Sequence, residues 1–264
     1  MNNLRKKALL LAAPFAAGFI FFYIIPYTSV FYYSFTTATM PARYAGFDNF
    51  EKVLSNEYFN LAITNTAVFT FVSIPILIVV SYAIANILYS YNYRVFRILL
   101  FIPVLIPSAS ITGIWTYLFG SSSVLSIYLL FVWKNIGLMC LIITSQLAKI
   151  PIEIHEAAMI DGANAFQRQK SIILPLSFPV LFFCTLVGLI QSFKIFREIY
   201  LIYEAYPPSG LYMIQHFIFN KFNKLDYAEL SAGTLLFTIG IIVLNVVLLL
   251  IGNRLFIQKG KRIK

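Results

Sequence analysis

Two histidines, two cysteines and ten acidic residues are the stock from which this chain could build a metal site or a nucleophile. His155-Glu156 opens an H-E-x-x-H pattern, in which two histidines one helical turn apart hold zinc and the glutamate serves as base. Met159 stands where the second histidine must be, and His216 lies far along the chain, so no catalytic and no metal site is expected. No G-x-x-x-x-G-K-[ST] run occurs, so the chain carries no phosphate loop of that kind for a nucleotide. Cys140 and Cys184 sit inside apolar runs and read as small core residues. What remains is a set of polar groups in apolar surroundings: Lys134 beside Asn135, and Gln191, Ser192, Lys194, Arg197 and Glu198 in one stretch. A charge at mid-membrane costs about 2.5–3.5 kcal/mol, which makes such residues functional candidates. Snorkelling or an interhelical hydrogen bond is the plainer reading of Lys134.

The elements that must hold these residues are apolar themselves. The chain is 60% hydrophobic and 11% charged, against about 25% charged residues in a soluble domain. Such a chain cannot hide its side chains from water, and its solvent must be lipid. Six apolar stretches are long enough to cross a bilayer, at about 8–35, 61–88, 97–119, 124–148, 172–193 and 231–256. The first imitates a secretory leader but runs well past the length of a leader core, so it reads as an uncleaved span. Pro14 and Pro26 are candidate kinks in it, and Pro103 with Pro107 predicts a broken or kinked third span. The fold class is therefore all-α: a polytopic membrane protein with six transmembrane helices, read as one domain over residues 1–264.

The net charge of +10 is distributed at the ends of these stretches and not over a face with interleaved aromatics, which argues against nucleic acid. With a cytoplasmic amino terminus, the inside loops hold Arg5, Lys6, Lys7, Arg94, Arg97, Lys149, Arg168, Lys170, Arg254, Lys259, Lys261, Arg262 and Lys264. The outside loops hold Arg43, Lys52, Lys221 and Lys224. The excess of basic residues faces the cytoplasm in such proteins, so both termini and the polar segment 149–171 are expected there.

That segment reads Pro-Ile-Glu-Ile-His-Glu-Ala-Ala-Met-Ile-Asp-Gly-Ala-Asn-Ala-Phe-Gln-Arg-Gln-Lys-Ser-Ile-Ile-Leu-Pro from Pro151 to Pro175. Pro151 suits a first helical turn, and Glu153 and Glu156 lie near the positive end of the helix dipole. Asp161-Gly162 is a stop signal, because Gly adopts the left-handed conformation that ends helices. A second short helix is expected from Ala163 toward Ile173, giving a helix–turn–helix at the membrane surface. Ala157, Ala158 and Gly162 keep it thin enough for another backbone to approach. The residues alone leave a plain interfacial connector open.

The spelling goes further. Glu156-Ala157-Ala158, Gly162, Ile172, Leu174 and Pro175 resemble the EAA loop of binding-protein-dependent ABC importer permeases. Phe47-Asp48-Asn49-Phe50, Asn65-Thr66, Arg97 with Phe101-Ile102-Pro103, Trp133-Lys134-Asn135-Ile136-Gly137 and Ser192-Phe193-Lys194 are similar to the sugar-type branch, which includes permeases for maltose and glycerol phosphate. The ending Asn253-Arg254-Leu255-Phe256 is similar to the first permease of the usual pair. The chain departs from the pattern in three places: only Gly120–Ser123 separate the third and fourth spans, Tyr206-Pro207-Pro208-Ser209-Gly210 replaces a Gly-Gly-Pro run, and Gln169 stands where an aromatic is usual.

The resemblance implies a multi-pass protein of the bacterial cytoplasmic membrane that moves a carbohydrate without altering it. It implies a second six-span permease, an ABC ATPase dimer and an extracytoplasmic solute-binding protein as partners, with lipid around the spans. No cofactor is expected in this chain, ATP and Mg being held by the partner ATPase. The coupling loop, 149–175, would meet the ATPase through Glu156, Ala157, Ala158, Asp161, Gly162, Ala163, Phe166, Ile172, Leu174 and Pro175. Tyr117, Asn135, Gln191, Ser192 and Lys194 offer the donors, acceptors and aromatic face that sugar hydroxyls need. A polyol or glycerophosphodiester would suit the same path. A stand-alone secondary carrier fits less well, since such a carrier needs a carboxylate within its spans and the acidic residues read as loop or span-end positions, with Glu198 borderline.

Overall fold

Two prolines show how this chain keeps long helices intact. A proline inside a helix lacks a donor and crowds the carbonyl one turn back. In the computed structural model, which describes residues 2–39, 41–91, 94–120 and 123–262, Pro26 and Pro175 each follow a wide, π-type turn, Ile20–Ile24 and Gln169–Ile173 respectively. The wide turn absorbs the misfit, so neither proline ends its helix. Lys264 and the middle of the short loop at 120–123 lie outside the described residues.

The helices are α1 (Asn2–Phe19), α2 (Ile25–Ser34), α3 (Asp48–Leu54), α4 (Glu57–Tyr91), α5 (Arg94–Leu105), α6 (Ser108–Phe119), α7 (Val124–Leu147), α8 (Ile152–Ile160), α9 (Ala165–Arg168), α10 (Leu174–Lys194), α11 (Phe196–Tyr203), α12 (Ile214–Asn223) and α13 (Tyr227–Arg262). Among the described residues, five continuous stretches are long and apolar enough to cross a membrane: Leu10–Ser34, Glu57–Ser90, Val124–Leu147, Ala165–Tyr203 and Tyr227–Gly252. The sixth is a bent pair, Val95–Leu105 and Ser108–Phe119, which turns by 105° at its break. At about 1.5 Å per residue, neither half reaches across a hydrocarbon layer of about 30 Å by itself.

The third span breaks, as its prolines predict, at Ile106-Pro107, where Pro107 takes an extended conformation as the N-cap of α6. One boundary, the start of the fifth span, differs from the expectation. The fifth begins at Ala165 and not near Ile172, so no separate second helix precedes it. The polar run Gln167–Ser171 is the first part of the span itself. The same helical stretch runs on past 193 to Tyr203, a continuation that the apolar pattern leaves open.

The chain divides into two compact units, Met1–Ala62 with Ile214–Leu249, and Ile63–Met213 with Leu250–Lys264. In the first, Asn49 is buried and donates to the carbonyls of Ser34 (3.0 Å) and Thr36 (2.9 Å), two acceptors at the end of α2. The rings of Phe35, Phe47 and Phe50 pack around this joint. The Phe47–Phe50 run is thus a device for tying α3 to α2. Phe59 stacks edge-on against Phe217 at 5.2 Å, over Gly233 of α13.

The second unit holds the buried core, including Phe69, Leu77, Phe131, Met139, Ile143, Cys140 and Cys184. Both thiols are free and buried. In this unit α5 and α7 approach closely: a Cβ on Gly137 would lie 1.8 Å from the Leu100 carbonyl oxygen.

Candidate functional site

The segment between α7 and α10 is built by local backbone chemistry. Helix α8 follows Pro151, whose extended backbone makes it the N-cap and not the first helical residue. At its far end Gly162 takes a φ of +77°. Its N–H donates to the Met159 carbonyl and that of Ala163 to the Ala158 carbonyl, both at 3.0 Å. These two bonds satisfy carbonyls that the helix end leaves open, and they need the left-handed residue between them. A Cβ on Gly162 would meet nothing within 4 Å, so the glycine is there for its backbone angle.

A capping box that the sequence reading passed over starts the next helix. The Asn164 side chain accepts from the Gln167 N–H (2.9 Å), and the Gln167 side chain accepts from the Asn164 N–H (2.8 Å). The spacing Asn-x-x-Gln was a visible signal for it. Two residues on, Gln169 turns inward and donates to the Tyr82 hydroxyl (2.5 Å) and the Asn86 amide oxygen (3.0 Å) of α4. The residue that replaces the usual aromatic thus anchors the segment to a neighbouring span.

The knuckle so formed presents one set of side chains outward. Ile160 is 86% and Phe166 73% exposed, and Glu156, Ala157, Asp161 and Gly162 are exposed beside them. Ala158 is buried in the chain's own packing, whereas Ala163, Ile172 and Pro175 are half-buried and Leu174 is exposed. The expected coupling residues therefore form an outward subset with an inward base. An apolar patch carried on a hydrogen-bonded turn is suited to rigid docking against another protein.

The five path candidates have different surroundings. Tyr117 is 90% exposed on α6. Asn135 is buried and donates to the Phe131 carbonyl of its own helix (2.8 Å). Ser192 is buried between Leu189 and the Thr70 hydroxyl. Gln191 is half-buried and Lys194 exposed. The Asn135 amide nitrogen and the Ser192 hydroxyl thus make local bonds and helix contacts.

A polar cluster that the sequence reading did not assemble lies in the same unit. Glu198 of α11, near the end of the fifth span, is only 3% exposed. Its carboxylate forms an ion pair with Lys134 of α7 and accepts from the Ser108 hydroxyl at 2.7 Å. Lys134 also donates to Ser108 at 3.2 Å. Ser108 is the first residue of α6 after the 105° break, so the cluster ties the elbow to two other helices.

The chain belongs to the family of binding-protein-dependent transport system inner membrane components, whose pattern matches residues 50–256. It is similar to the trehalose/maltose transport system permease protein MalF of Thermococcus litoralis, 28% identical over 94% of each chain. It is likewise similar to the arabinooligosaccharides transport system permease protein AraP of Bacillus subtilis, 29% identical over 92% of this chain and 86% of that one. The sn-glycerol-3-phosphate transport system permease protein UgpA of Escherichia coli is 28% identical over 90% of this chain and 91% of its own. In fold it matches a chain of a bacterial ABC transporter that imports the acidic polysaccharide alginate, with a TM-score of 0.73, 20% identity and 96% of each chain covered. A second structure of an alginate transporter, in complex with a pentasaccharide-bound periplasmic protein, matches with a TM-score of 0.71.

Proposed function

We propose that this chain forms half of the translocation path of a carbohydrate importer and receives its energy through the knuckle between α7 and α10. Both termini and the knuckle face the cytoplasm, where a separate ATPase dimer docks on Glu156, Ala157, Ile160, Asp161, Gly162 and Phe166, with Ala158, Ala163, Ile172 and Pro175 as the base behind them and Leu174 exposed at the start of α10. A second six-span permease completes the path, and an extracytoplasmic solute-binding protein delivers the cargo. ATP and Mg belong to the ATPase. The observation that carries this reading is the outward patch of Ile160 and Phe166 on a turn locked by its own backbone bonds, in a chain that belongs to a transport family.

ATP acts by favouring one of two packings of the spans, and the knuckle needs only firm contact to transmit that preference. Anchored to α4 through Gln169 and continuous with α10 through the wide turn, it would move as one piece with two spans. Carbohydrate as cargo rests on the relatives named for maltose, trehalose and arabinooligosaccharides. A phosphorylated polyol is the second reading, because the UgpA relative covers 90% of the chain.

The test is affinity purification of the tagged chain from its native membrane. The expected result is an ATPase and a second six-span chain in the eluate, with radiolabelled uptake lost on deletion of the gene. A chain that purifies alone while transporting its solute without ATP would overturn the reading.

A further inference from the structure

Behind the outward patch lies an open groove of about 440 Å³, bounded by the end of α4, the end of α7, α8 and the start of the fifth span. That volume suits a small ligand. Its polar lining comes from Asn86, Ser90, His155, Arg168 and Gln169, with Tyr89 beside them, and no carboxylate lines it. Three observations give the groove a sign. Arg168 spends one guanidinium nitrogen on the Ala163 carbonyl, at 3.2 Å, and among the described residues it has no acidic partner. The Nε2 atom of His155 is buried without a hydrogen-bond partner there. An orphaned buried polar atom has lost its water without replacement, so it calls for a group to complete it. Finally, Gln169 and Asn86 are already bonded to one another and to Tyr82, which gives the groove a preformed wall.

A guanidinium with free donors and an imidazole nitrogen, with no carboxylate opposing them, fit a tetrahedral oxyanion. We propose that this groove binds a phosphate group, held by Arg168 and His155, and that its occupant clamps α8 against α4. The apolar part of the lining, from Ile87, Ile152 and Met159, accommodates the carbon side of a phosphate ester. Two sources share this chemistry: the headgroup of an anionic phospholipid, and phosphate free in solution. The groove depends on neither the cargo nor the ATPase, so its test uses neither.

The full chain, purified in an uncharged polyoxyethylene detergent, is melted alone and with each of three additions. These are phosphatidylglycerol, a phosphate-free glycolipid, and inorganic phosphate balanced by chloride for ionic strength. Saturating ligand binding to the folded form raises the midpoint, by about 2–4 °C or more for a chain of this size. A rise with phosphatidylglycerol alone assigns the site to lipid, and a rise with inorganic phosphate as well assigns it to the free anion. Arg168→Gln should abolish the rise and His155→Phe should reduce it at least twofold, while Arg168→Lys keeps part of it and reports on folding. No rise with either phosphate source overturns the proposal. So does an equal rise with the phosphate-free glycolipid, or an undiminished rise in Arg168→Gln and His155→Phe.

Discussion

Gly137 of α7 lies directly beneath the carbonyl of Leu100 in α5, with room for a hydrogen and for no carbon. A methyl group there would stand 1.8 Å from the oxygen and 2.8 Å from the Cα of Phe101, and both are backbone atoms that cannot swing away. Gly137→Ala should therefore force the helices apart and cost about 1–3 kcal/mol. Gly240→Ala in α13, where a Cβ meets nothing within 4 Å, is the matched control and should be neutral or slightly stabilising. Thermal unfolding of the two variants in one detergent decides it. Equal midpoints would refute the close approach.

Gly162 is needed for its angle and not for its size. At φ +77° a β-branched side chain is strained, and the left-handed conformation costs about 1–2 kcal/mol for an ordinary residue. A penalty of that order changes the population of the turn roughly five- to thirtyfold. Gly162→Val should still insert and fold, lose most solute uptake and co-purify poorly with the ATPase. Gly162→Asn should be milder, because Asn tolerates this region. Normal uptake and normal association in Gly162→Val would remove the coupling role from this turn.

The ion pair of Lys134 and Glu198 is deeply placed, and the carboxylate is the more buried member. Removing one partner from such a pair leaves an uncompensated charge and costs about 3–5 kcal/mol, whereas replacing both is close to neutral. Lys134→Met should lower the melting midpoint sharply, and Lys134→Met with Glu198→Gln should recover most of the loss. A double variant no better than the single one would show that the two groups are not coupled.

Hydropathy made the long spans legible and left their joints obscure. Windows of apolar residues located all six stretches, and Pro103 with Pro107 announced the break in the third. The start of the fifth was misplaced because Gln167, Gln169 and Lys170 look like loop. They are held in a helix by the Asn164 cap and by bonds from Gln169 to α4, which average hydropathy does not register. Asp161-Gly162 was read correctly, since a left-handed stop is a property of neighbours in sequence. The pairing of Glu198 with Lys134 joins residues 64 positions apart and leaves no local trace. Asn135 and Ser192 looked like path residues for their polarity alone, yet their bonds go to nearby carbonyls and to Thr70.

Asn49 supplies a prediction in the other unit. Its amide nitrogen gives both hydrogens to carbonyls at the end of α2, and the residue is buried. Asn49→Asp cannot donate and places a carboxylate against two carbonyl oxygens, so it should be the worse variant. Asn49→Ala leaves two acceptors unsatisfied at about 1–3 kcal/mol. Limited proteolysis within residues 35–47 should speed up in the order wild type, Ala, Asp. A reversed order would mean that the joint does not depend on this donor.

Lys221 connects α12 to the start of α13 through Asp226 (3.0 Å) and Glu229 (2.5 Å). Burial pushes its ammonium down, but the hydrogen bonds to Glu229 and Asp226 outweigh that and hold it above its ordinary value of 10.5. The folded form therefore binds the proton more tightly than the unfolded chain does. The resulting stabilisation is fully present below pH 10.5 and is lost as pH rises through the higher folded value. Wild type should thus melt above Lys221→Met at pH 8, and the gap should close only at pH values beyond 10.5. Melting curves of both proteins from pH 8 to the alkaline limit of the detergent measure it. A gap that is constant across that range would assign the effect to packing over the Phe217 ring, 5.7 Å from the ammonium, and not to charge.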